Sequence, residues 1–113
     1  MDPKKKNFYK GAAIGLGVGA IAGAIAGILY APKSGEETRE DIKKYYHEMK
    51  DKIAERVANL KDITRETYGQ VVAEVVAGYE EHQKINATEA ANIKKALDEG
   101  YEKVKEAADK AKQ

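Results

Sequence analysis

The chain lacks cysteine and tryptophan, and it has one phenylalanine and two histidines among its 113 residues. Without cysteine it forms neither a disulfide framework nor a thiolate metal site. His47 and His82 lie far apart and form no His-x-x-x-His pair, so both are interpreted as exposed helix residues. The length is too short for more than one ordinary domain, and the scarcity of tryptophan and phenylalanine argues against a large globular core.

A surplus of charge of one sign is also lacking. The chain has 20 basic and 19 acidic residues, and after residue 31 it has 16 basic and 18 acidic ones. No basic stripe is present, so nucleic acid is not an expected partner. The carboxylates lie beside lysines on charged faces. The glycines at 15–19 follow no strand, so they do not form a dinucleotide-binding turn. We therefore expect no enzyme, no cofactor and no metal site.

One stretch, residues 11–31, contains neither a charge nor a proline, and glycine recurs in it at every fourth position. As a helix it spans roughly 31 Å, the thickness of a bilayer core. On a helical wheel its bulky side chains form a stripe about 100° wide, and glycine and alanine fill most of the rest. Glycine at this spacing lets two helix backbones approach closely. The stretch predicts a transmembrane helix whose packing face consists of Gly11, Gly15, Gly19, Gly23 and Gly27.

The flanks of this stretch fit a membrane span. Residues 1–10 form a basic flank with Phe8 and Tyr9, and Tyr30 lies at the other end, where aromatic side chains favour the membrane interface. Basic residues are balanced on the two sides, so the positive-inside rule assigns no orientation to the tail. Two alternatives stay open: a cleaved secretory signal, and a buried helix of a soluble helical hairpin.

A short junction at 32–35 separates the span from the tail. Pro32 ends the span, because proline lacks the amide hydrogen that a helix interior needs. Ser34 and Glu37 have the spacing of a capping box, in which each side chain caps the other's backbone amide. We therefore predict that a new helix starts just after Ser34.

The tail is predicted to be helical to its end. An amphipathic helix over 36–80 is followed by a hinge over 81–86 and by a second amphipathic helix over 87–113 with a frayed end. Asn86 and Glu89 offer a second capping box at the hinge. A continuous helix with a weak point there is the alternative, because the apolar pattern continues across it.

Apolar residues recur in the tail in steps of four, three and four, which is a repeat of eleven. Such a repeat keeps the stripe nearly straight on the helix, so that it packs on another helix or lies on a lipid surface. The predicted partner or coiled-coil face consists of Ile42, Tyr46, Met49, Ile53, Val57, Leu60, Tyr68, Val71, Val75 and Tyr79. The row is polar at Thr64, His82 and Asn86, and it continues through Ala90, Ile93, Leu97, Tyr101, Val104 and Ala108. Its tyrosines either pack with the hydroxyl at the edge or form a membrane-interface face.

These elements predict an all-α fold, in which one glycine-rich transmembrane helix is followed by a long amphipathic helix or helical hairpin. The junction adds a resemblance. The run Leu29-Tyr30-Ala31-Pro32-Lys33-Ser34-Gly35-Glu36-Glu37-Thr38-Arg39, after a glycine-rich span and before a charged helix, resembles the YtxH-like family over residues 8–60. The resemblance implies a small bacterial, single-span, non-enzymatic protein of the kind labelled general stress or gas-vesicle-associated protein. It carries over no catalytic residue.

The expected function is a structural or envelope-stress role for a non-enzymatic protein anchored in the bacterial cell membrane by a single span. The glycine face and the amphipathic tail predict a homo-oligomer. One alternative is a soluble or peripheral protectant, since residues 101–112 are similar in composition to the repeats of late-embryogenesis-abundant desiccation proteins. The other is an adaptor that tethers a soluble protein partner to the bilayer through residues 71–79.

Overall fold

The computed structural model describes residues 17–31 and 40–111 of the chain. Every regular element within these residues is an α-helix, which confirms the predicted all-α class. The helices are α1 (17–29), α2 (Glu40–Ala58), α3 (Arg65–Glu81), α4 (Ala87–Glu99) and α5 (Tyr101–Ala111). Gly11 and Gly15 of the predicted packing face, and the predicted cap of Ser34 and Glu37, lie outside the described residues.

The first polar position of the eleven-residue row marks a break between helices. Thr64 is the N-cap of α3: its hydroxyl oxygen accepts a hydrogen bond from the Thr67 amide at 3.1 Å. In return, the Thr67 hydroxyl oxygen accepts from the Thr64 amide at 2.9 Å. The prediction of one helix over 36–80 is therefore wrong, because residues 59–64 connect two helices, α2 and α3.

The other two polar positions of the row mark the predicted hinge. His82 ends α3, and Asn86 begins α4 by accepting a hydrogen bond from the Glu89 amide at 2.7 Å, in the capping box that the spacing predicts. The prediction of one helix over 87–113 needs correction, because Gly100 ends α4 and α5 begins at the next residue.

Contacts between α2 and α3 show that these two helices run antiparallel. Arg56, near the end of α2, forms an ion pair with Glu74 in the middle of α3. Tyr79, near the end of α3, donates a hydrogen bond to Glu48 in the middle of α2 at 3.0 Å. Because the connection at 59–64 is short, the apolar stripes of the two helices meet face to face.

Antiparallel packing also joins α3 to α4. The hydroxyl of Tyr68, at the start of α3, donates to the main-chain oxygen of Leu97 near the end of α4 at 2.7 Å. The Tyr101 hydroxyl, at the start of α5, donates to the main-chain oxygen of Ile63 at 3.1 Å. The short break at Gly100 thus brings α5 beside the connection between α2 and α3.

The apolar row of the tail lies inside this bundle. Every member of the predicted partner or coiled-coil face is buried except Leu60, which is half-buried. Further along the row, Ala90, Ile93, Leu97, Val104 and Ala108 are buried too. The chain's own helices therefore cover the face that the sequence assigned to a partner, a second copy or lipid.

The first helix adds its bulky stripe to the same core. Ile21, Ile25 and Leu29 are at most 5% exposed, and burying side chains of this size stabilises a fold by about 1.5–3 kcal/mol each. Among the described residues no helix has both the length and the apolar character needed to cross a membrane. The span predicted over 11–31 begins before the described part of α1.

Candidate functional site

The two sides of α1 have opposite environments. Its bulky stripe is buried, whereas Gly19, Gly23 and Gly27 lie on the other side and are exposed. An ideal Cβ atom built on any of these three glycines would meet nothing within 4 Å. The glycine face of α1 is thus open along the described helix, and its packing against a second helix stays a prediction.

The buried side of α1 lies on the junction between α4 and α5. A Cβ atom built on Gly100 would stand 2.2 Å from Cδ1 and 2.9 Å from Cγ1 of Ile28. Both distances are below van der Waals contact, so a side chain at residue 100 would force the Ile28 side chain to shift. Since φ of Gly100 is −86°, which other residues also adopt, its function is to make space for Ile28.

A second contact joins the end of α1 to α2. The Tyr30 hydroxyl donates a hydrogen bond to the main-chain oxygen of Lys43 at 3.2 Å. The ring of Tyr30 meets the ring of Tyr46 edge to face, with 5.8 Å between their centres. Such an aromatic pair adds about 0.5–1.5 kcal/mol beyond its buried area. Together with the Ile28 contact, it holds α1 at two points of the tail, one on α2 and one at Gly100.

A cluster of polar and aromatic groups surrounds Tyr79 on the seam between α2 and α3. The ammonium groups of Lys52 and Lys84 lie 4.8 and 5.4 Å from the centre of its ring. Burial, followed by the hydrogen bond to Glu48, raises the pKa of Tyr79 to about 12. An open cavity of about 230 Å³ adjoins the ring. The cluster fastens the end of α3 to α2 through cation–π contacts and one charge-assisted hydrogen bond.

Tyr68 fastens the opposite end of α3. Its side chain is 1% exposed, and its hydroxyl is bonded to the main chain of α4. Burial, and to a lesser degree the negative charge of Asp98, raises the pKa of Tyr68 well above its usual value. The ring also packs against that of Tyr101, with 5.5 Å between the centres. These tyrosines therefore pack with their hydroxyls bonded inside the chain, the first of the two roles predicted for them.

Groups with catalytic or metal-binding potential are dispersed over the surface. His47 is exposed, with its ring beside Lys50 at 3.1 Å and Asp51 at 3.6 Å, and His82 is exposed at the end of α3. Within residues 17–31 and 40–111 no three His, Cys, Asp or Glu side chains converge so that they could hold a metal ion. The features that bear on the function are therefore the packing of α1 on the tail and the open glycine face of α1.

The sequence did not reveal the residues that hold α1 against the tail or the residues at which the tail breaks into separate helices. Gly100 carried a signal, because a glycine inside a helical pattern marks a break or a close approach. Thr64 carried one as a polar residue in an apolar row. Ile28 carried none, because a periodic pattern shows that a side chain is buried but not what it packs against.

Comparison with known proteins supports the family resemblance and extends it. A family model described as YtxH-like protein matches residues 13–113. The match includes the whole tail, whereas the resemblance of the sequence motifs stopped at residue 60. No curated protein and no solved structure matches the chain.

Proposed function

The chain belongs to the YtxH-like family, and on this premise we propose that it is a non-enzymatic, membrane-anchored helical protein with a structural role in the general or envelope stress response of bacteria. The glycine-rich segment of residues 11–31 is the single-pass anchor in the cell membrane. The bundle of α2 to α5 is the part outside the bilayer.

The observation that carries this proposal is the composition of the 11–31 segment. It contains no charge and no proline, and lysines precede and follow it. A helix of this length covers the hydrocarbon core of a bilayer. Its described part, α1, has a continuous bulky stripe on one side, which is buried in the core of the chain in this structure and becomes the apolar area for contact with lipid when the anchor inserts.

Self-association of the anchor is the second part of the proposal. The side of α1 that carries Gly19, Gly23 and Gly27 is exposed, and a Cβ atom built on any of these glycines would meet nothing within 4 Å among the described residues. Glycine at every fourth residue allows two helices in lipid to pack with their backbones close together. We therefore assign the homo-oligomer contact to this face, because the apolar row of the tail is already buried in the core of the bundle.

The two alternatives fit the structure less well. A desiccation-type protectant needs a chain that is disordered when dilute, whereas α2 to α5 share one buried core. An adaptor that binds its partner through residues 71–79 needs an accessible face, whereas Val71, Val72, Val75, Val76 and Tyr79 are buried. Circular dichroism of the full chain at low concentration separates the protectant from the anchor, because only the protectant is a random coil without lipid.

Membrane fractionation of a bacterial host that expresses the full chain tests the anchor. We expect the protein in the membrane pellet after alkaline carbonate washing and in solution only with detergent. Protease access to the tail in spheroplasts then gives its orientation. Recovery of the intact protein in the soluble fraction without detergent would contradict the proposal.

The matched variant for this experiment is Gly23→Lys. The glycine is exposed on α1 and has open space around it, so the docked structure tolerates the change. A lysine at the centre of a membrane helix costs about 2.5–3.5 kcal/mol. We expect Gly23→Lys to move protein from the membrane pellet to the soluble fraction, and Gly78→Lys, at an open position on α3, to leave the distribution unchanged.

A further inference from the structure

We infer that the apolar stripe of α1 is a lipid-binding surface that the tail of the same chain masks. In the docked state, Ile21, Ile25, Ile28 and Leu29 pack into the core that the tail forms. In the inserted state, the same side chains contact the hydrocarbon chains of a bilayer. The two states exclude each other. This inference rests on the proposed membrane function and adds a switch to it.

Burial of the stripe is the first observation. Ile21 and Ile25 are 1% and 0% exposed, so no surface of these side chains is left for lipid while α1 is docked. Ile28 is half-buried and lies on Gly100. A bilayer that takes up α1 must therefore separate these side chains from the tail.

The charge of the tail is the second observation. Around the docking surface, Lys43 and Lys44 on α2 and Glu99 and Glu102 beside Gly100 are exposed. Charged side chains at the depth of the hydrocarbon core are strongly disfavoured. The tail therefore stays in water when α1 enters the bilayer, and the contacts between the two parts break.

The contact between Ile28 and Gly100 makes this switch specific. Ile28 lies over the α4–α5 junction in space that a side chain at residue 100 would take. The second contact, from Tyr30 to α2, lies at the interface end of the predicted span, where a tyrosine hydroxyl also has partners in lipid headgroups. Lipid can therefore replace both contacts, which makes a bilayer the competing occupant of the stripe.

A disulfide between residues 28 and 100 tests the inference on the full chain. In the Ile28→Cys/Gly100→Cys variant the two positions are close, since Cγ1 of Ile28 lies 2.9 Å from the Cβ position of residue 100. Because the new sulfur at position 28 takes a γ position like that of Cγ1, a sulfur attached to Cβ of residue 100 lies within bonding reach of it, and the disulfide then sets the Cβ–Cβ separation at about 3.5–4.5 Å. The natural chain has no cysteine, so no other pair forms within one chain, and non-reducing electrophoresis separates the monomer from disulfide-linked dimers. Flotation with vesicles of phosphatidylethanolamine and phosphatidylglycerol measures the bound fraction.

We expect the reduced variant to float with the vesicles and the oxidised variant to lose flotation, with recovery after a reducing agent is added. Equal flotation of both forms would overturn the masked surface and leave the membrane function intact. Failure of the disulfide to form without lipid would overturn the docked state. If neither form floats and the wild-type chain does not float either, the membrane function itself fails, and the inference fails with it.

A second pair of variants needs no oxidation. Gly100→Ala places a methyl group against Ile28, whereas Gly78→Ala places one in open space on α3. We expect Gly100→Ala to raise the vesicle-bound fraction several-fold at limiting lipid and Gly78→Ala to leave it unchanged. Circular dichroism of both variants checks that they are folded. An unchanged bound fraction for folded Gly100→Ala would contradict the masking of α1 at this contact.

Discussion

The Tyr68 hydroxyl links α3 to α4 from a buried position. Its hydrogen bond to the Leu97 main-chain oxygen is 2.7 Å long, and the Gly100 amide donates to the same oxygen at 3.1 Å. We expect Tyr68→Phe to lower the free energy of unfolding by about 0.5–1.5 kcal/mol, because Leu97 keeps one of its two donors. Urea denaturation measures the loss. Tyr30→Phe, whose hydroxyl is exposed, is the control and should cost less; equal losses would contradict a special role of burial.

The same hydroxyl predicts an alkaline loss of stability. Burial raises the pKa of Tyr68 in the folded chain above its usual value of about 10. The protonated hydroxyl contributes its full share to the free energy of unfolding below pH 10, the pKa in the unfolded chain. This share is lost as the pH rises from 10 toward the higher pKa of Tyr68 in the folded chain. We therefore expect the advantage of wild type over Tyr68→Phe in urea denaturation to shrink by about 1.4 kcal/mol between pH 9 and pH 11. A constant difference would show that the hydroxyl ionises as easily in the folded chain as in the unfolded one.

At the scale of one element, the N-cap of α3 decides where the chain turns back. Thr64 satisfies the Thr67 amide, and the Thr67 hydroxyl in turn donates to the main-chain oxygen of Asp62 at 2.9 Å. We expect Thr64→Ala to destabilise the fold by about 0.5–2 kcal/mol, the usual cost of losing a threonine cap. Thermal unfolding followed by circular dichroism measures it. Thr88→Ala, at an exposed position in the first turn of α4, is the matched control, and an equal effect would contradict the capping role.

The sequence predicted helix content better than it predicted helix ends. The capping box of Asn86 and Glu89 was visible because its residue types and spacing are standard. The box at Thr64 uses a threonine in place of the usual glutamate or glutamine at its third helical position, so the pattern did not reveal it. At Gly100 the apolar row continues in phase into α5, and periodicity therefore gave no sign of the break.

At the scale of the whole molecule, periodicity identified the buried face but not what covers it. The row from Ile42 to Tyr79 was predicted to be covered, and nearly all of it is buried. A repeat of eleven is equally compatible with a coiled coil, with a lipid surface and with neighbouring helices of the same chain. The turns at 59–64 and 82–86 decide between these, because they fold the row back on itself. Those turns depend on caps of a few residues and not on the repeat.

The glycine face of α1 is uncovered in the described part of the chain, and it allows a test in two environments. Because a side chain at Gly19 has open space around it, we expect Gly19→Leu to leave unfolding without lipid unchanged or to stabilise the chain by up to ~1 kcal/mol through higher helix propensity. In detergent micelles we expect the same change to abolish cross-linked oligomers, because leucine keeps two backbones apart at a glycine contact.

Gly78→Leu, in open space on α3, should leave cross-linking as in wild type. If Gly19→Leu also left it unchanged, the glycine face would have no part in assembly, whereas a large loss of stability without lipid would mean that this face is covered within the chain.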